Sequence, residues 1–236
     1  MTENKEKFRR EEAGEGLQER LALRPGVLAE KLRQQSFYKA VTAVYVNPTA
    51  LLAQIRINGL LDGKAVVCPS AKMKKGLYLL RPYKIPYAKL SYAVTPKGMD
   101  EYGEILTTGT QATDITIGLS VVDCLAVDRR GCMVGDGNGF FDLSLAILST
   151  WGRVAANHVI VAAAPAEAIV EESLADEPWD CFADILLTGN EALPLAGRGK
   201  KQQIRLYWDF LSEKRIRKVT PLWKLQQKLG GTNGQR

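Results

Sequence analysis

The chain has 236 residues, 46% of them hydrophobic, and a formal net charge of +6. That length allows one large domain or two small ones, and no run of about 18 uncharged apolar residues occurs, which excludes a membrane-spanning helix. Met1 to Arg20 alternates Lys/Arg with Glu around no apolar centre, which excludes a secretory signal, and four scattered cysteines without a Cys-x-x-Cys pair exclude a disulfide framework or zinc site and point to a reducing cytoplasm.

The charge is uneven. From Arg198 to Arg236 there are 11 Lys/Arg against Asp209 and Glu213, so this tail carries +9 and the rest of the chain −3. A basic tail can meet nucleic acid or a membrane surface, or be the solvated face of a terminal helix. No nucleic-acid motif accompanies it, so neither specific nucleic-acid binding nor membrane attachment is expected.

Residues 3 to 24 form a polar helical pattern in which Lys5 and Arg9 lie four apart, on one face. There they reach a phosphate together or simply face water. Leu28 to Gln35 predicts a further helix, and Ala40 to Val46 a buried strand by its β-branched content. Asn47-Pro48-Thr49 predicts the start of a helix running to Leu61. Lys64 to Cys68 and Gly76 to Leu80 predict two short strands. Arg81 to Pro96, with Pro82, Pro86 and Pro96, predicts a surface loop free of regular helix and able to line a pocket.

Thr113 to Val127 is the most continuous apolar run, as expected of a strand at the centre of a sheet buried on both faces. Gly135-Asp136-Gly137-Asn138-Gly139-Phe140-Phe141-Asp142 follows, and a helical pattern then runs from Phe140 to Trp151. Three glycines in five residues permit backbone angles closed to other residues, so N–H groups converge at the mouth of the helix. That spacing is compatible with a tight connection or with a phosphate cradle. Asp142, in the first helical turn, is placed to cap the helix or to hold a divalent cation.

His158 to Ala164 and Asp184 to Thr188 predict further strands, Ile204 to Trp208 an edge strand, and Ser212 the cap of a basic helix that Pro221 interrupts. Strands alternating with helices imply an α/β fold of three layers, α/β/α, with a mainly parallel sheet, and ligands in such sheets bind beyond the carboxyl ends of the strands. The expected division is an N-terminal helical segment 1–36, an α/β core 37–195, and a basic C-terminal strand and helix 196–236 packed on the core. His158, the one histidine, has no ligand-spaced partner and is expected to be structural, as are the cysteines.

Arg130-Gly131 followed by Gly135 to Asp142 resembles the signature of the 5-formyltetrahydrofolate cyclo-ligase family, a Gly-x-Gly-x-Gly followed by two aromatics and Asp. Lys5 and Arg9, Arg56 before Leu60-Leu61-Asp62-Gly63-Lys64, and Asp180 with Asp184-Ile185-Leu186 and Thr188 add to it, and the resemblance covers nearly the whole chain. It implies ATP held by Lys5, Arg9, Gly135, Gly137, Asn138, Gly139, Phe140 and Phe141, Mg²⁺ near Asp142, and a small-molecule ligand such as a reduced folate. Asp136 departs from the pattern by placing a carboxylate inside the loop, which would repel a phosphate unless the metal lies between Asp136, Asp142 and the phosphates. In the family reaction ATP phosphorylates the 5-formyl oxygen, the neighbouring amine closes the ring and phosphate leaves. The chain departs from the pattern at Met133 and Leu143, where the family carries Arg, and at Phe140 and Phe141, which replace tyrosines. Asp142 to Ala146 and Tyr207 to Leu211 look like the cyclo-ligase-like paralogues. The implied function is a diverged paralogue that binds a nucleotide or folate-like ligand with altered or lost activity. The alternative is an active ATP- and Mg²⁺-dependent enzyme forming 5,10-methenyltetrahydrofolate.

Overall fold

The computed structural model describes residues 5–6, 23–108, 115–196 and 203–232; Arg9 lies outside them. The centre of the fold is a run of five mutually parallel strands. In spatial order these are β10 (Ile185–Leu187), β8 (Val154–Ala163), β5 (Ile117–Asp123), β1 (Ala43–Val46) and β2 (Ala65–Pro69). Antiparallel strands complete a sheet of eight: β3 (Leu77–Leu80) and β4 (Glu104–Leu106) beyond β2, and β11 (Ala192–Pro194) beyond β10.

Period-two alternation divides the side chains of this sheet between two cores. On β1, Val44 and Val46 face one core while Ala43 and Tyr45 face the other. The first core receives Leu28, Ala29 and Leu32 of α1 (Pro25–Gln34), Tyr38 of α2 (Ser36–Lys39), and Ile55 and Leu60 of α3 (Ala53–Leu61). It also receives Leu90 and Ala93 of α4 (Leu90–Ala93) and Met99 of α5 (Pro96–Tyr102). The second core receives Phe141, Leu143, Leu145, Ile147 and Leu148 of α6 (Phe140–Thr150). Ile216 of α7 (Glu213–Lys218) and Leu222 of α8 (Thr220–Thr232) close that side. This is the three-layer α/β arrangement that the sequence predicts.

The long apolar run divides. β5 is buried along almost its whole length between β1 and β8, as a central parallel strand must be. The chain then turns at Cys124-Leu125 into β6 (Ala126–Asp128), which joins β7 (Met133–Val134) and β9 (Ile169–Val170) in a separate three-stranded sheet.

Three expectations are corrected. The helix predicted from Asn47 begins at Ala53, because the Arg56 guanidinium draws the carbonyl oxygens of Asn47 and Thr49 onto itself at 2.5 and 3.0 Å and holds 47–49 as a loop. The proline-rich segment contains α4 and the start of α5, since each proline stands outside a helix or, like Pro96, in a first turn where no N–H is needed. Thr95 caps α5 by accepting the Gly98 N–H at 3.1 Å. Ile204 to Trp208 does not pair with the sheet: the place beside β10 is taken by β11, which turns back antiparallel, and the later segment ends in a 3₁₀ turn at Trp208–Phe210. Ser212 does cap its helix, accepting the Arg215 N–H at 3.3 Å, and that helix breaks at the extended Val219, with Pro221 in the first turn of α8 beyond it, as expected.

Candidate functional site

The glycine loop joins β7 to α6. Gly137 and Gly139 take φ of 83° and 60°, a left-handed backbone that costs glycine little, and Gly139 stands at the N-cap position with no side-chain cap over the helix. Asp136 is folded back within the loop: its two carboxylate oxygens accept the backbone N–H and the side-chain amide of Asn138, each at 2.9 Å. This turn keeps the Asp136 charge beside the loop, where it opposes an incoming anion.

Asp142 lies in the first turn of α6 and is tied to a second segment of the chain. Its Oδ1 accepts the backbone N–H of Cys181 at 2.8 Å, and burial pushes the carboxyl up to about 6 against that hydrogen bond. Next to Cys181, Asp180 receives the Lys5 ammonium at 2.5 Å and the Glu177 N–H at 3.0 Å. Burial alone would lower the Lys5 pKa; the pairing with Asp180 outweighs it and the pKa is raised. The segment carrying Asp180 is itself fixed by buried Asp128. Asp128 accepts the N–H groups of Arg130, Cys132 and Leu174 at 2.9, 2.9 and 3.0 Å, while Arg130 donates to Asp128, Asp176 and the Leu174 carbonyl.

Together these elements enclose a cavity of about 490 Å³. Its walls include Asn47 and Thr49 beyond β1, Asp123 at the end of β5, Met133, the glycine loop with Phe140 to Leu143, Lys5, and the segment 177–181. The position is at the carboxyl ends of the parallel strands, as expected. The structure brings Lys5, Gly135, Asp136, Gly137, Asn138, Gly139, Phe140, Phe141 and Asp142 to one place. Phe141 nevertheless turns into the core, its ring 5.8 Å from that of Tyr45, and only 8% of it is exposed. The proline-rich segment 81–96 does not reach the cavity.

The remaining wall was not foreseen. Arg205, Leu206, Tyr207, Phe210, Leu211 and Arg215, all from the basic C-terminal segment, line the same cavity. Arg215 donates from Nη2 to the Asn138 carbonyl and lies 5.2 Å over the Phe140 ring. Burial lowers its pKa, while the charges of Asp142 and Asp136 act in the opposite direction. Phe210 is 63% exposed and its ring lies 4.8 Å from that of Trp179, tilted by 51°. The clue in the sequence is the aromatic cluster Tyr207-Trp208-Asp209-Phe210 set in basic chain, a composition equally suited to packing.

Among the described residues no group of three or more His, Cys, Asp or Glu side chains is placed to hold a metal ion. The donor set fits a cation that brings phosphate and water oxygens of its own, with Asp142 as a protein oxygen. His158 lies away from the cavity, paired through Nε2 with Ser120 Oγ at 2.8 Å, and burial lowers its pKa to about 4. All four cysteines are buried and unbridged, and burial pushes Cys132 to about 11, so these are packing residues. No helix among the described residues is long and apolar enough to cross a membrane.

Fold and site thus define a three-layer α/β protein with a glycine-loop cavity at the carboxyl ends of its parallel strands. The sequence profile of the 5-formyltetrahydrofolate cyclo-ligase family matches residues 3–189, and the chain belongs to that family. It is similar to the methenyltetrahydrofolate synthase domain-containing protein of Danio rerio, with 22% identity over 201 residues, 83% of this chain and 51% of that protein. The protein of the same description from Mus musculus is 24% identical over 198 residues, 82% of this chain and 52% of that one. The chain therefore spans about half the length of these curated relatives. Among solved structures, 5,10-methenyltetrahydrofolate synthetase of Aquifex aeolicus superposes with a TM-score of 0.51 at 18% identity, covering 88% of this chain and 99% of that one. That likeness concerns the fold.

Proposed function

We propose that the cavity binds a nucleoside triphosphate as its Mg²⁺ complex together with a reduced-folate-like small molecule, and that the protein is a diverged paralogue whose cyclo-ligase activity is altered or lost. The observation that carries this reading is the charge of the lining. Asp123, Asp136, Asp142, Glu177 and Asp180 face Lys5, Arg205 and Arg215, five carboxyl groups against three cations. Met133 adds a neutral thioether where the family carries a guanidinium. A cavity of that balance repels a bare polyphosphate, and a divalent cation between Asp142 and the phosphates turns the repulsion into coordination. Lys5 is already spent on Asp180. A transferring phosphoryl group therefore finds few uncommitted donors, and donors aimed at such a group supply most of the catalysis of phosphoryl transfer.

The test mixes purified protein with ATP, Mg²⁺ and 5-formyltetrahydrofolate and follows the absorbance of 5,10-methenyltetrahydrofolate. The diverged reading predicts no growth, or growth slower by about a thousandfold than an active family member, the order of effect seen when a phosphate-stabilising Arg is missing. Turnover at a normal enzymatic rate would instead establish the active cyclo-ligase.

A further inference from the structure

We infer that the C-terminal segment 205–215, which lies beyond the stretch matched by the family, is the recognition wall of this cavity. In it Arg215 contacts the phosphates of a nucleoside triphosphate and Phe210 the heterocycle. The inference rests on the nucleotide reading above and extends it to residues that the family match does not reach.

Arg215 has the placement of a phosphate contact. Its guanidinium sits against the glycine loop, and a methyl group added at Gly139 would lie 3.7 Å from Nη2. A guanidinium carries five N–H donors. Among the described residues the Arg215 side chain makes one hydrogen bond, to the Asn138 carbonyl, and no ion pair, and the residue lines the cavity. The nearest carboxylates that act on it, Asp142 and Asp136, belong to the loop and its helix and not to a salt bridge. It therefore places a fixed positive charge at the loop from another part of the chain, at a position distinct from Met133 and Leu143.

Phe210 has the placement of a stacking surface. An aromatic ring 63% exposed is poor packing, yet this one has aromatic neighbours: Trp179 lies at 4.8 Å and Tyr207 at 6.4 Å, both rings tilted to it, with Arg205 4.7 Å over the Tyr207 ring. Three aromatic side chains and a guanidinium at one wall of a polar cavity form a sequence-tolerant platform for a planar ring. Arg215 follows Phe210 by five positions, so ring and phosphate contacts share one short piece of chain.

The experiment measures dissociation constants of Mg²⁺–ATP and Mg²⁺–tripolyphosphate, by calorimetry, for the parent chain and for Arg215→Gln, Phe210→Ala and Arg217→Gln. Arg217 lies on the same helix, exposed and paired with Glu213, and serves as the control. Arg215→Gln weakens both ligands by about tenfold or more, the worth of a charge-assisted contact. Phe210→Ala weakens ATP by about tenfold and leaves tripolyphosphate unchanged, because stacking needs a ring. Arg217→Gln changes neither. Circular dichroism and melting curves confirm that each variant is folded. A parent that binds while Arg215→Gln behaves like Arg217→Gln, or a Phe210→Ala variant that keeps the parent's preference for ATP, overturns this inference and leaves the nucleotide reading standing. A parent that binds neither ligand overturns both.

Discussion

The carboxylate of Asp142 accepts the backbone N–H of Cys181 at 2.8 Å, so the first turn of α6 is tied to the segment that carries Asp180 and, through it, Lys5. The helix that follows the glycine loop and the far wall of the cavity are thus joined directly by this bond.

Replacement of Asp142 separates its two roles. Asp142→Ala removes the acceptor from the Cys181 N–H and lowers stability by about 1–2 kcal/mol, the cost of an unsatisfied buried donor. Asp142→Asn keeps an oxygen acceptor and relieves a burial-disfavoured charge, so its melting temperature at pH 7 equals or exceeds the parent's. Both variants lose Mg²⁺-supported ATP binding. Melting curves beside titrations distinguish the two effects, and an Asp142→Asn variant that binds Mg²⁺–ATP normally would remove Asp142 from the cation site.

Asp136 tunes the metal requirement. Asp136→Lys places a positive charge beside the loop in place of a negative one, and affinity for ATP in EDTA rises by about tenfold, as one favourable charge pair near a protein surface allows. Unchanged binding in EDTA would show that the Asp136 charge does not act on the nucleotide.

Stability depends on pH through two groups of opposite sign. The His158 pKa falls from 6.5 to about 4 in the fold, so its contribution is present above pH 6.5 and is lost as the pH falls toward 4. Asp142 rises from 3.8 to about 6, so without metal its contribution is present below about pH 3.8 and is lost as the pH rises through 6. His158→Gln should flatten the loss of melting temperature between pH 6.5 and 4, while Asp142→Asn should steepen it. Parallel curves for parent and His158→Gln would mean that the histidine titrates as it does in solvent.

Asp128 carries stability and not chemistry. Asp128→Ala strands three backbone N–H groups and removes one of the two carboxylate partners of Arg130, costing about 3 kcal/mol or more in urea unfolding. A loss below about 1 kcal/mol would mean that the segment 174–182 is held by its apolar contacts alone.

Much of this architecture is legible from periodicity. The strands within Ala40–Val46, Thr113–Val127 and His158–Ala164 lie buried in the sheet because β-branched runs suit strands covered on both faces. The glycine loop is legible because three glycines before a helical pattern leave few conformations open. What periodicity does not carry is partnership. The loop at 47–49 exists because Arg56, in the first turn of the next helix, captures its carbonyl oxygens. Arg215 meets Asn138 across 77 positions, and nothing in a basic helical stretch announces which of its cations turns inward. Phe210 reads as core by its hydrophobicity, yet it is 63% exposed and meets Trp179, which arrives on a separate segment.

The most direct test of the account is a calorimetric titration of the parent protein with ATP, once with Mg²⁺ and once in EDTA. The acidic balance of the lining predicts saturable binding with Mg²⁺ and binding weaker by about tenfold or more without it. No heat of binding at millimolar ATP, or equal affinity in EDTA, would contradict the proposal that this cavity takes a nucleotide as its Mg²⁺ complex.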